Sequence, residues 1–295
     1  MEKIRGIHHI SAMVGDLENV LQFYREILNL RLVKQTVNFD DRTGYHLYFG
    51  SQSAPLSSLM TFFPQQNKTG IKGTGQVGKI AFKIPTNQLD YWKNRLKSFG
   101  IKYKEGKWSQ FKALYISDYD QLELALVASA EVSNIADIQG FHGLSIYSSH
   151  PRASKEFLET KMGFIAVKED ENYHYLAISG DKQEELLIEK ELLEAGAWGA
   201  GTVHHVAWSL TDEKEERDWR KYLIKNGRDV TILRDRKYFK SIYFREPGQV
   251  IFEMATQVPG LTVDETKESL GKSLQLPQKY ESRRKEIENR LPRLN

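Results

Sequence analysis

Cysteine is absent from the 295 residues. This excludes disulfides, thiolate metal sites and cysteine nucleophiles, and leaves imidazole, carboxylate and hydroxyl groups as ligands and catalysts. No apolar run approaches the roughly 20 residues needed to span a bilayer, and the opening Met-Glu-Lys-Ile-Arg lacks the apolar core of a secretion signal. No membrane partner is expected, and the cytoplasm is the expected compartment. An excess of one charge is also missing. The 42 Lys and Arg nearly balance 39 Asp and Glu, for a formal charge of +3, so no surface dedicated to nucleic acid is expected. Apolar residues make up 40% of the chain, enough for a sizeable core in one large domain or two ordinary ones.

The order of elements repeats. Residues 7 to 14 alternate as a strand does, and Asp16 is placed to cap a helix carrying Leu17, Val20, Leu21, Tyr24, Ile27 and Leu28 at helical spacing. Strand-like runs follow at 31–37, 45–49 and 59–63. The same order, one strand, one helix, three strands, recurs from residue 78 (helix 87–99), from 140 (helix 153–162) and from 203 (helix 212–225). Four βαβββ modules are therefore expected at about 5–65, 76–129, 139–190 and 201–257, an internal repetition carried by element order rather than identity. Strands in the last are expected near 229–233, 240–244 and 250–254. The segment beyond residue 259 is polar, with a helix of alternating charge toward its end, and is expected to be a solvated face or a subunit contact in a possible homo-oligomer.

Ionisable groups stand where a core should be. Gly6-Ile-His-His-Ile-Ser11 and Val203-His-His-Val206 place paired histidines on apolar strands, and Glu253 sits between Phe252 and Met254. Burying such a group without a partner costs about 2–7 kcal/mol even when neutral. Aligning the first strands puts Lys79 and Gly143 where modules one and four have His9 and His205. Aligning the last strands puts Ala125, and a residue near Phe62, where module four has Glu253. Glu189 of module three is uncertain in register. One complete set remains: His9, His205 and Glu253. If modules one and four pair, their first strands bring His9 against His205.

Two imidazoles and one carboxylate on a common face suit Fe(II) and leave positions open for dioxygen and a chelating substrate; Mn(II) fits the same set, and zinc also uses two His and one Glu. The blander account of each residue is also physical. A single histidine on an apolar strand is usually a hydrogen-bonded core residue, the role expected of His46, His142, His150 and His174 where they are not exposed. His8 and His204 should face away from the proposed ligands in regular strands, unless a bulge turns one toward the cavity as an acid or base. By spacing alone Arg236 reads as a surface ion-pair residue and Tyr243 as a sheet aromatic.

The stretches 6–11, 198–207, 235–248 and 252–265 together resemble the ring-cleaving extradiol dioxygenases of the vicinal oxygen chelate (glyoxalase/bleomycin resistance) superfamily, in particular the hydroquinone dioxygenase type. The resemblance implies an α+β fold with curved mixed sheets, in two domains at 1–135 and 136–258 followed by a tail at 259–295. It implies one non-haem Fe(II), dioxygen as co-substrate, and cleavage of a hydroquinone- or catechol-like ring, with a small aromatic diol as partner. Carried over by position, His9, His205 and Glu253 match metal ligands. His8, His204, Arg236 and Tyr243 match positions beside the substrate, with the histidines moving protons and Arg236 and Tyr243 stabilising anionic oxygens. Ser11 stands where the group often has threonine, and Trp198 and Gly199 belong to the shared motif with packing the simpler account. Other classes in the superfamily are a glyoxalase-type metal-dependent isomerase or lyase, and a protein that only binds toxic aromatics.

Overall fold

The computed structural model describes residues 3–39, 44–53, 56–65, 67–178 and 184–294. Module one comprises β1 (Ile7–Val14), α1 (Leu17–Val20) running on as a π-helical stretch (Leu21–Ile27), β2 (Arg31–Val37), β3 (Tyr45–Gly50) and β4 (Leu59–Pro64). Module two has β5 (Gln76–Pro85), α2 (Leu89–Ser98), β6 (Lys104–Trp108), β7 (Phe111–Ser117) and β8 (Glu123–Ala130). Module three has β9 (Phe141–Tyr147), α3 (Pro151–Met162), β10 (Ile165–Glu169), β11 (Tyr173–Ala177) and β12 (Glu185–Glu189). Module four has β13 (Thr202–Leu210), α4 (Glu213–Lys225), β14 (Arg234–Asp235), β15 (Lys240–Arg245) and β16 (Ile251–Thr256). The expected α+β order is thus present four times. The Asp16 side chain caps the first helix by accepting from Glu18 N. The strand expected at 229–233 is reduced to a bridge between Val230 and Phe244, and the regular pairing begins later, at Arg234.

Within every module the first strand runs parallel to the last, as in β1 with β4 and β13 with β16. Between modules, β1 pairs antiparallel with β13 and β5 with β9, so module one meets module four and module two meets module three. Among the described residues, Val203 on β13 pairs with Val77 on β5 where the two halves of the sheet meet.

Alternation separates two faces. On β3, Leu47 and Phe49 enter the main core beneath the helices, while Tyr48 joins a second cluster with Val33, Tyr238 and Phe239. On β8, Leu124 and Leu126 face the main core, while Ala125 and Val127 join a third cluster with Trp108 and Leu187. Each pair of modules therefore encloses its own concave face. Modules two and three pack Trp108, Tyr175 and Leu187 into theirs, and modules one and four line a cavity with theirs.

The segment after β16 is more than a solvated tail. Leu261 and Leu270 pack into the cluster shared by modules one and four, and Ile287 and Leu291 enter the main core. Lys34, fully buried on β2, holds this segment through Leu261 O at 3.0 Å, Asp264 Oδ1 at 2.7 Å and the Glu265 carboxylate. The helix of alternating charge is α5 (Arg284–Arg290), whose exposed side carries Arg284–Glu288 and Arg290–Glu286 pairs. Among the described residues, no helix is long and apolar enough to cross a membrane.

Candidate metal centre and cavity

The paired histidines come from a phase slip in each strand. The core-facing residues of β1 are Ile7, Ile10, Ala12 and Val14, and those of β13 are Val203, Val206, Trp208 and Leu210. Spacing of two becomes three at His8-His9 and at His204-His205, so each strand places two consecutive residues away from the main core. The β1–β13 register shifts between Ile7 and His9, the signature of a bulge. Regular alternation therefore fails at these two sites, and the expectation that His8 and His204 face away from His9 and His205 fails with it.

His9 Nε2, His205 Nε2 and the Glu253 carboxylate converge. Nε2 to Nε2 is 3.3 Å, Glu253 Oε2 lies 3.1 Å from His9 Nε2 and 2.8 Å from His205 Nε2, and all three side chains are buried. Ligand bonds of about 2.1 Å meeting at right angles put neighbouring donor atoms about 3.0 Å apart, close to these separations. Neither oxygen of the fully buried Glu253 has a well-directed hydrogen bond among the described residues. A carboxylate so placed needs a cation. Burial favours its neutral form, but positive charge at the His9 and His205 side, the place a bound cation would take, prevails and holds Glu253 well below the usual carboxylate range. The residues present fit a divalent metal ion.

The hydrogen-bond network assigns tautomers consistent with that fit. His8 Nε2 meets Thr256 O at 3.1 Å, and because a carbonyl only accepts, the proton of His8 is on Nε2. His8 Nδ1, 2.8 Å from His9 Nδ1, must then accept, so His9 carries its proton on Nδ1 and presents a lone pair at Nε2. His204 Nδ1 and His205 Nδ1 repeat the contact at 2.7 Å. Each histidine of the convergent pair is thus oriented by the residue before it. Burial, reinforced by His205, pushes His204 down to about 3, so it is neutral near pH 7.

Above the convergent atoms lies a cavity of about 170 Å³. Ser11, His204, Arg236 and Tyr243 line it, together with His9 and His205. His8 is among the expected site residues but is not a lining one; it is fully buried behind His9. Tyr243 faces Glu253 across the β15–β16 ladder and stacks edge-on against His205 at 5.5 Å, and the Arg236 guanidinium lies 5.6 Å over its ring. Burial, then Glu253, raises the Tyr243 hydroxyl well above its usual range, so it remains a donor. Trp198 packs against His204 at 5.4 Å.

Sequence reasoning missed the rest of the lining: Phe39, Phe63 and Phe239 as walls, Asn38 beside them, and His46 and Tyr48 on β3. His46, expected to be an ordinary core or surface histidine, faces the cavity. Its position in phase with Tyr48, and out of phase with Leu47 and Phe49, was the available signal. Burial, with His9 and His205 adding, lowers it to about 3.

The register also explains why one set survives. Glu253 is bonded opposite Ala207, two residues past His205. Two past Lys79, Gly143 and His9 the partners are Ala125, Leu187 and Thr61. Glu189 is therefore displaced from the ligand position, and it forms an ion pair with Lys79 at 2.8 Å. At Gly143 a Cβ would come within 2.0 Å of Glu185 O, so module three has no room for a ligand there. Thr61, rather than Phe62, occupies the position of Glu253 in module one.

Residues 6–122 match the family described as Glyoxalase/Bleomycin resistance protein/Dioxygenase superfamily. The chain is 38% identical over 303 residues to the Bacillus subtilis (strain 168) protein named "Putative ring-cleaving dioxygenase MhqO", covering 98% of this chain and 96% of that one. The chain belongs to this superfamily. The Sphingobium indicum protein named "Chlorohydroquinone/hydroquinone 1,2-dioxygenase" is 28% identical over 97% of this chain and 95% of its own length. A crystal structure titled as a putative dioxygenase from Bacillus subtilis subsp. subtilis str. 168 superposes with a TM-score of 0.96 at 36% identity, covering 100% of this chain and 99% of that one. Glyoxalase I from Zea mays, at 15% identity and a TM-score of 0.66 over 85% of this chain and 92% of its own, shares the fold of the superfamily.

Proposed function

We propose that this chain is a metal-dependent ring-cleaving dioxygenase for hydroquinone-like single-ring diols, with Fe(II) held by His9, His205 and Glu253. The observation that carries this reading is the convergence of two Nε2 atoms and a buried carboxylate at the base of an aromatic-walled cavity. A space of about 170 Å³ suits one substituted ring, given that an apolar cavity of about 150 Å³ holds benzene. The relatives named for ring cleavage and for hydroquinone support the same reading.

Fe(II) in this ligand set supplies sites for a substrate oxygen and for dioxygen, and a path for electrons between them. The protein does the rest. Phe39, Phe63 and Phe239 enclose the ring and exclude water. Arg236 and the protonated Tyr243 hydroxyl stabilise oxygen atoms as they become anionic. His204, neutral and with its Nδ1 taken by His205 Nδ1–H, keeps its proton on Nε2 and donates it as a hydrogen bond to a substrate oxygen as that oxygen becomes anionic. His8 acts behind His9, fixing its tautomer. Both atoms of dioxygen enter the product, so diol plus O2 gives the ring-opened acid or acyl compound without another reductant.

The test is oxygen uptake by protein purified anaerobically and reconstituted with Fe(II), using methylhydroquinone and catechol. Uptake with ring-opened product, lost in Glu253→Ala, is expected. A tightly bound metal without uptake would redirect the reading to isomerase or lyase chemistry, and absence of metal binding would leave a protein that only binds aromatics.

A further inference from the structure

On the wall formed by β4 and β3, separated by β1 and β13 from the strand that carries Glu253, module one builds a polar chain from the positions that module four uses for Glu253 and its surroundings. Thr61 stands at the place of Glu253, and Tyr48 faces Thr61 as Tyr243 faces Glu253. Ser11 Oγ lies 2.7 Å from Thr61 Oγ1, Thr61 Oγ1 lies 2.9 Å from His46 Nε2, and Tyr48 OH lies 3.5 Å from His46 Nδ1. Ser11, His46 and Tyr48 line the cavity, and Thr61 is fully buried behind them.

Counting protons along this chain has a consequence. His46 is neutral, so only one of its nitrogens donates. If Tyr48 donates to Nδ1, then Nε2–H donates to Thr61, Thr61 donates to Ser11, and the Ser11 O–H is left to point at the cavity. In the other tautomer Nδ1–H donates to Tyr48, every bond reverses, and the Tyr48 O–H is left over. In both cases the chain ends in one hydroxyl donor directed at the ligand, and switching tautomer moves that donor across the wall. A rigid, desolvated donor of this kind favours a ligand that carries an acceptor there and penalises one that offers a methyl group.

We infer that Ser11, Thr61, His46 and Tyr48 form a hydroxyl-reading rail in which His46 determines specificity, binding the ring oxygen remote from the metal and selecting hydroquinones over monophenols and catechols. This rests on the dioxygenase reading of the same cavity and deepens it. In a hydroquinone the two oxygens are at opposite ends of the ring, so one reaches the metal ligands and the other the rail. A catechol presents both at one end and leaves the rail without a partner. Thr61 acts through His46 and Ser11 and is a positioning residue.

The experiment is anaerobic calorimetric titration of the Fe(II)-loaded protein with methylhydroquinone, catechol and 4-methylphenol, the last having a methyl in place of the second hydroxyl. Wild type is expected to bind methylhydroquinone roughly 10- to 100-fold more tightly than 4-methylphenol, the worth of one buried hydrogen bond. His46→Phe, which keeps an aromatic ring beside Phe63, should abolish that ratio while leaving the 4-methylphenol affinity in place, and His46→Gln should restore part of it. Thr61→Val, a buried change of similar shape, should also reduce the ratio. A ratio unchanged in both His46→Phe and Thr61→Val, in wild type that consumes oxygen with methylhydroquinone, overturns the rail and leaves the dioxygenase standing. Metal-loaded wild type that neither prefers the diol nor takes up oxygen overturns both.

Discussion

Glu216 on α4 is a buried carboxyl outside the cavity, and it offers a quantitative test of the electrostatics around it. It is fully buried, and neither oxygen has a hydrogen-bond partner among the described residues. Burial first, then repulsion from Glu213, raises it from 4.5 to about 7, and Glu253 pushes in the same direction. A carboxyl whose folded value lies above its unfolded one binds its proton more tightly when folded, so ionisation opposes folding. The penalty is absent below about pH 4.5 and complete above about pH 7. At about 1.4 kcal/mol per pH unit it reaches about 3 kcal/mol at pH 8 and about 1 kcal/mol at pH 5. Glu216→Gln keeps the shape and cannot ionise. Relative to wild type, the variant should therefore gain about 2 kcal/mol between pH 5 and pH 8, whatever fixed cost its amide carries at both. Urea unfolding in the presence of a chelator reads this as a relative shift in midpoint of roughly 0.7 M for a slope near 3 kcal/mol/M. The comparison must be made against wild type at each pH. His46 and His204, lowered to about 3, oppose the trend by losing stability as the unfolded chain's histidines protonate below about 6.5. A midpoint difference independent of pH would refute the account of Glu216.

His204→Gln should lower kcat by roughly 10²- to 10⁴-fold with metal retained, whereas His8→Gln should weaken metal binding by roughly 10- to 100-fold and be compensated by excess Fe(II); metal titration beside steady-state kinetics separates them, and the opposite pattern would exchange their roles. Two-ring diols should be excluded by the cavity, and Phe63→Ala should admit them, as read by oxygen uptake with a naphthalene diol; turnover of that diol by wild type would contradict the stated volume. Lys34→Met should leave the buried Glu265 uncompensated, while Asp264 keeps Lys237 at 2.6 Å, and cost about 3–5 kcal/mol, lowering Tm by roughly 5–10 °C in a thermal melt; an unchanged Tm would show that the 261–270 segment is held by its other contacts.

Much of the fold was legible because each module is local: a capped helix following an alternating strand needs no knowledge of distant residues. Asp16 and the spacing from Leu17 to Leu28 show this, although the π-helical turn from Leu21 to Ile27, which lets Phe23 join Tyr24 on the buried side, leaves no mark that period counting detects. The pairing across modules was legible only as a condition, that His9 meets His205 if the outer modules pair, because β-register between distant segments is set by tertiary packing. The orientation of His8 and His204 is legible for a different reason: regular alternation alone turns them away from the ligands and a bulge turns them back, and the apolar residues 7, 10, 12, 14 and 203, 206, 208, 210 already contain that slip.

That slip ties the fold to the chemistry. A regular strand offers one residue in two to a concave face, enough for a ligand but not for the neighbour that fixes its tautomer. Placing the bulge at each His-His pair gives the face two consecutive imidazoles, one converging with Glu253 and the other oriented against its Nδ1. The duplication then allows divergence. Module four provides the carboxylate at Glu253, while module one, at the matching place, provides Thr61 and the chain to His46. Modules two and three lack both bulged histidine pairs, with Lys79 and Gly143 in their place, and their concave face is filled by Trp108, Tyr175 and Leu187. One repeated arrangement thus serves as a metal-binding wall, a hydroxyl-bearing wall and a packed support, according to which residue stands at the registered positions.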